Sequence, residues 1–203
     1  MIRAFLAIEL PHDVRSALVT IQQDLKRQLE RTVAAPVRIS WVRPASMHLT
    51  LRFLGDMPEE LIEPLQVAIH LAVSVHQPIH LPLERLGTFP RPQQPRVLWA
   101  GPSESWEQGP DAQRLRALHR TIEDCCQAAD FAPDSRPFSP HLTLARIKEG
   151  GRQVGQALAQ SGVMDQTVVV GTLPIETIAL MQSELRPTGS VYKKRWEVGI
   201  HGT

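Results

Sequence analysis

The chain has 203 residues, 42% of them hydrophobic and 21% charged, and its 22 Lys and Arg against 21 Asp and Glu leave a formal net charge of +1. This length buries a sizeable core, either as one compact domain or as two fused lobes, and the ordinary composition excludes a largely disordered chain. Near-neutrality excludes a global positive field for tight non-specific nucleic-acid binding, so any such contact has to be local.

The two cysteines, Cys125 and Cys126, are neighbours, which cannot staple distant segments and lack a spaced partner for a zinc site. A reducing, cytoplasmic compartment is the expectation. No apolar run reaches the roughly 18 residues of a spanning helix, so neither secretion nor membrane insertion is expected.

In chain order, Ile2 to Leu10 reads as a buried strand and Val14 to about Leu29 as a helix. A strand from Val37 to Val42, a turn at Arg43 to Ser46 and a strand from Met47 to Leu54 follow, and Pro58 opens a helix to about Val75. Strand-like runs from Ile79 to Phe89 and Val97 to Gly101 flank a proline-rich loop, Pro90 to Pro95, and a helix is expected from Asp111 to Ala129. Phe138 to Ile147 reads as a strand and Gln153 to Gln160 as a short helix. Thr167 to Val170, Ile175 to Glu184 and Tyr192 to Ile200 read as strands. The order is mixed instead of a strict βαβ alternation, which predicts an α+β fold with mainly antiparallel sheets.

An internal repeat carries the most information. Residues Arg43-Pro44-Ala45-Ser46-Met47-His48-Leu49-Thr50-Leu51 align without gaps on Arg136-Pro137-Phe138-Ser139-Pro140-His141-Leu142-Thr143-Leu144, with seven of nine positions identical. The copies lie too far apart for a solenoid period, which predicts a single domain over residues 1–203 with two similar lobes, an approximate two-fold axis and one copy of the motif (48–51 and 141–144) per lobe at a shared cleft.

Side chains alternate along a strand, so His48 and Thr50 share one face while Leu49 and Leu51 turn to the core, and His141 and Thr143 repeat the pattern. Two imidazoles flanking one phosphate suit general acid and general base, because histidine titrates near neutrality, and threonine hydroxyls can donate to the phosphate oxygens. Metal binding is the rival use of paired histidines, but neither motif carries a second His or a carboxylate at ligand spacing; no metal and no cofactor are expected. A lone histidine in an apolar strand is usually structural. Packing alone, however, would accept any β-former at both histidine positions and does not explain an identical recurrence.

At these residues the chain resembles the two-histidine (2H) phosphoesterases, whose hallmark is a pair of His-x-Thr-x motifs, and within them the RNA 2′,3′-cyclic phosphodiesterases, formerly called the 2′-5′ RNA ligase family. The resemblance extends to Arg3 through Pro11, Trp41-Val42, Phe53-Leu54-Gly55 and the terminal Tyr192-Lys193-Lys194-Arg195-Trp196. It implies a bilobal duplicated fold, with two mainly antiparallel sheets flanking a central cleft and helices outside. It also implies hydrolysis of RNA 2′,3′-cyclic phosphate ends to 2′-phosphomonoesters, with His48 as proton donor and His141 as proton acceptor. Thr50, Thr143 and Arg146 would hold the phosphate, and Phe53 would contact base or ribose. Simple alternation puts Arg146 on the face opposite His141 unless a bulge or the strand's end re-aims it, and Arg52 is its rival in the other motif strand.

The expected partner is RNA ending in a 2′,3′-cyclic phosphate or containing a 2′-5′ linkage, with upstream contacts from scattered basic residues such as Arg91, Arg96, Lys193, Lys194 and Arg195; the protein is expected to be a monomer. Two rival functions stay open: ligation, which is the microscopic reverse of opening a 2′-5′ bond, and a non-catalytic nucleotide-binding module on the same scaffold. His12, His70, His76, His80, His119 and His201 belong to no motif and read as structural or exposed.

Overall fold

The structure is a computed structural model and describes residues 1–33, 36–186 and 189–202. Ten strands and five α-helices are described: β1 (Ile2–Glu9), α1 (His12–Thr32), β2 (Arg38–Trp41), β3 (His48–Met57), α2 (Ile62–Val73), β4 (Ile79–Leu83), β5 (Arg85–Phe89), β6 (Val97–Gly101), α3 (Glu104–Glu107), α4 (Pro110–Ala128), β7 (Leu142–Glu149), α5 (Gly151–Ser161), β8 (Gly171–Ile175), β9 (Thr177–Arg186) and β10 (Gly189–Gly199). The α+β class and the antiparallel pairing agree with the sequence reading.

Strands order as β10-β9-β1-β3-β7-β6-β5, with β2 on β7, and a separate pair joins β4 to β8. All pairings are antiparallel. The long run from Ile79 to Phe89 splits where sequence periodicity suggested one strand. Glu84 donates its backbone N–H to Gly101 and accepts one from Val168. The two halves of the run therefore enter different sheets. Similarly, Phe138 to His141 leads into β7 without ladder bonds of its own, because pairing begins at Leu142.

The large sheet consists of two four-stranded groups, β10-β9-β1-β3 and β2-β7-β6-β5, meeting at one register pair, Leu49 with Leu142. Leu49, Leu51, Leu142 and Leu144 are buried on the face covered by the helices. Helix α1 lies with α5 and β8, and α2 with α4 and β10. Buried Gln22 on α1 donates to the carbonyls of Val42 and Leu144, 2.8 Å each, which ties the helix to both motif-bearing regions. Burying that amide is tolerable because its donors are satisfied.

Candidate active site

The Leu49 to Leu142 junction sets the geometry of the site. In antiparallel continuation from this pair, His48 faces toward Thr143 and Thr50 toward His141, all on the face away from the helices. His48, Thr50, His141 and Thr143 together line a cleft of about 470 Å³.

The two imidazoles are held in the same way. Nδ1 of His48 lies 2.9 Å from the Ser46 carbonyl, and Nδ1 of His141 lies 2.8 Å from the Ser139 carbonyl. A carbonyl can only accept, so each Nδ1 donates, and the neutral ring presents an unprotonated Nε2 for chemistry. Aromatic rings fix each plane. Phe5 and Tyr192 lie with ring centroids 4.6 and 5.2 Å from that of His48, and Phe89 and Trp99 lie 5.0 and 6.4 Å from that of His141. Gly87 is required beside Trp99, since a Cβ there would stand 1.9 Å from the indole.

A small second core, Phe5, Ala7, Ala179 and Met181 with Tyr192 packed against it, places buried apolar side chains beside His48. Burial there pushes the His48 imidazole down from 6.5 to about 4, with Arg146 and His141 adding repulsion against its partly offsetting bond to Ser46. His141 is lowered too, by burial first and by Arg146. Both rings are therefore poised to act as neutral bases in the free protein, and one of them needs an anionic ligand to raise it into acid range.

Arg146 does lie in the cleft, and a bulge puts it there. Across β6 and β7 the register advances from Leu98 with Ala145 to Trp99 with Thr143, skipping Leu144. The extra residue reverses the alternation, so Leu144 and Ala145 are both buried while Arg146 joins His141 and Thr143. β3 carries the matching irregularity: Leu6 pairs with Arg52 but Ala7 with Thr50, skipping Leu51. Phe53 consequently emerges on the cleft face, 48% exposed, at the position equivalent to Arg146.

The same bulge removes Arg52 from contention as a phosphate ligand. Arg52 is 6% exposed and turns to the helix side, where its Nε sits 2.6 Å from Glu123 of α4 and its other nitrogens donate to Phe53 and Ala132. Glu123 in turn accepts the backbone N–H of Asp134. This cluster anchors the segment leading to His141.

Sequence reasoning missed several residues of the cleft wall. His119, read as structural or exposed, lines the cleft, with its ring stacked on Phe138 at 4.1 Å. Tyr192, Phe89 and Arg136 also line it. The aromatic residues at alternating strand positions were the available signal for the first two, and the repeated Arg-Pro of the motif for the third. Of the expected upstream contacts, Lys194 is engaged by Glu9 and Glu197 and Arg195 by Gln182 and Glu59. Arg91, Arg96 and Lys193 do not line the cleft. A larger cavity of about 1010 Å³ lies along β5 and α5 and is lined by neither His48 nor His141; the chemistry marks the smaller one. Among the described residues no three His, Cys, Asp or Glu side chains gather as a metal-binding group, and no helix is long and apolar enough to cross a membrane.

The family model for LigT-like phosphoesterases matches residues 8–99 and 108–192, which span both motif strands. The chain belongs to the LigT-like phosphoesterase family. A relative from Thermus thermophilus named RNA 2′,3′-cyclic phosphodiesterase is 34% identical over 98% of this chain and 91% of its own length. One of the same name from Aeropyrum pernix is 34% identical over 80% of this chain and 86% of its own. Among solved structures, a protein from Thermus thermophilus superposes with a TM-score of 0.72 at 30% identity, covering 98% of both chains. Escherichia coli LigT complexed with 3′-AMP shares the LigT-like fold at the same TM-score, with 21% identity and 98% coverage of each chain. The two-histidine resemblance read from the motifs is thus shown.

Proposed function

We propose that this phosphoesterase opens 2′,3′-cyclic phosphate ends of RNA to 2′-phosphomonoesters by metal-independent acid and base catalysis, with His48 as proton donor and His141 as proton acceptor. The observation that carries the reading is the paired geometry: two imidazoles in one cleft, each with Nδ1 held by the carbonyl two residues before it and Nε2 left for substrate. The relatives' shared name supports the substrate class.

In this reading Nε2 of His141 takes a proton from water as the oxygen attacks phosphorus, and Nε2 of His48, protonated, gives its proton to the departing ribose 3′ oxygen. The phosphate stays on the 2′ oxygen. Thr50 and Thr143 donate to non-bridging oxygens, and Arg146 offsets the charge that builds on them in the transition state. The bound phosphodiester anion raises the imidazoles that burial depresses, and its attraction is least screened at the more deeply buried His48. The donor assignment itself follows the family resemblance. Phe53 offers its exposed face to the terminal base or ribose. Only a ribose 2′ hydroxyl can form the cyclic ester, so the chemistry itself selects RNA over DNA.

The same proposal takes residues 1–203 as one two-lobed, monomeric, cytoplasmic domain with an approximate two-fold axis. The antiparallel junction at Leu49 and Leu142 and the matching bulges beyond it support the axis. The two free thiols, with Cys126 pushed up to about 12 by burial, suit a reducing compartment.

The test is incubation of a short RNA ending in a 2′,3′-cyclic phosphate with the purified protein in excess EDTA, followed by phosphorus NMR of the product. A 2′-phosphomonoester is expected. A 3′-phosphate, or turnover that requires added divalent metal, contradicts the mechanism. RNA joined through a 2′-5′ bond faster than it is hydrolysed assigns the cleft to ligation instead.

A further inference from the structure

A second pocket of about 340 Å³ lies beside the catalytic cleft, lined by Arg3, Phe5, Phe53, Arg136, Ser183 and Tyr192 among others. Phe53, Arg136 and Tyr192 line both spaces, so the two adjoin across these side chains. This volume lies within the range of about 300–1,000 Å³ usual for small-ligand sites.

The lining differs from that of the catalytic cleft. Its walls are aromatic: Phe53 is among the exposed large apolar side chains, and the Phe5 ring lies 6.0 Å from it and 5.0 Å from Tyr192. Its rim is cationic, with two arginines brought from distant parts of the chain. Arg3 on β1 enters none of the ion pairs among the described residues, although Asp56 is its cross-strand register partner. Among the described residues Arg136 pairs only with Asp134, two residues away, a contact of the weak surface kind. Its counterpart in the first motif, Arg43, is used differently and donates to the Ser190 carbonyl. The two copies have therefore diverged at this position, one toward structure and one toward the pocket.

An aromatic wall with a guanidinium rim matches the two parts of a nucleotide that lack sequence identity, the π-face of a base and an anionic phosphodiester. We propose that this pocket is the subsite for the phosphodiester and nucleotide immediately 5′ of the cyclic end, with Arg3 and Arg136 on the phosphate. The substrate is then an oligonucleotide terminus in preference to a free cyclic mononucleotide. The inference rests on the proposed function.

The experiment compares kcat/KM for adenosine 2′,3′-cyclic phosphate with that for a diadenosine dinucleotide carrying the same cyclic end, in wild type and in Arg3→Gln. Wild type is expected to favour the dinucleotide by about tenfold or more, the scale of one charge-assisted contact with partial stacking. Arg3→Gln is expected to cut that ratio at least fivefold, and raising salt from 50 to 200 mM is expected to shrink it in wild type more than in the variant. Equal kcat/KM for the two substrates in wild type overturns the subsite while leaving the catalytic reading intact, and so does an unchanged ratio in Arg3→Gln. Failure of both substrates to react overturns the catalytic reading itself. Arg3→Lys serves as the control for charge, and it is expected to retain part of the preference.

Discussion

Replacing His48 or His141 with alanine is expected to lower turnover of a cyclic-phosphate RNA by roughly a hundredfold or more, the usual scale for losing a general acid or base. Neither change should unfold the protein. Both rings sit at the cleft and not among the fully buried leucines, and each makes one hydrogen bond, to a carbonyl that the open cleft can hydrate after truncation. The double variant should be only modestly worse than the poorer single one, because acid and base act in one step and their losses do not add. Circular dichroism and thermal melting check the fold alongside the rates. Near-normal turnover in either single variant would leave a binding module, or another catalytic group, as the better account.

The second large effect is on stability. Arg52→Ala is expected to cost about 3–5 kcal/mol, the range for removing one partner of a buried ion pair and leaving the other charge uncompensated. Glu123 is 15% exposed and would lose its cationic partner, and the carbonyls of Ala132 and Phe53 would lose donors. The Arg52 to Glu123 contact is close at 2.6 Å but poorly aligned as a hydrogen bond, so its cohesion is mainly Coulombic. Replacing both residues by apolar ones of similar size, Arg52→Met with Glu123→Leu, should recover much of the loss, because no unpaired charge then remains. Urea unfolding of the single and double variants separates the outcomes. A single variant within about 1 kcal/mol of wild type would show that the pair contributes little, in the manner of surface pairs.

Much of this was legible in the sequence because the informative residues recur. Alternation placed His48 with Thr50 and His141 with Thr143, and the duplication implied a shared cleft; the structure brings all four together. The break in the Ile79 to Phe89 run was not legible, since Glu84 interrupts nothing in hydropathy and acts through backbone bonds to Gly101 and Val168. The bulges at Leu51 and Leu144 were equally silent. A bulge is one residue of excess length relative to a partner strand, and it exists only in the pairing. That single residue decides why Arg146 and Phe53 reach the cleft and why Arg52, read as a possible substitute, goes to the core instead. Arg3 and Arg136 stayed hidden for a different reason, because strands far apart in sequence bring them to one rim.

The pH dependence of steady-state turnover tests the paired-imidazole claim most directly. With His48 lowered to about 4 and His141 lowered as well, the state with one charged and one neutral ring is most populated in free protein below pH 6.5. The account therefore predicts a bell-shaped kcat/KM centred below pH 6.5, with limbs that belong to the pair, and a kcat bell displaced to higher pH because the bound anion raises both rings. Residual activity of His48→Ala should lose the alkaline limb, since no acid remains to be titrated away, and that of His141→Ala should lose the acidic one. A flat profile from about pH 4 to 9, or an intact bell in both variants, would contradict the assignment of acid and base to these two histidines.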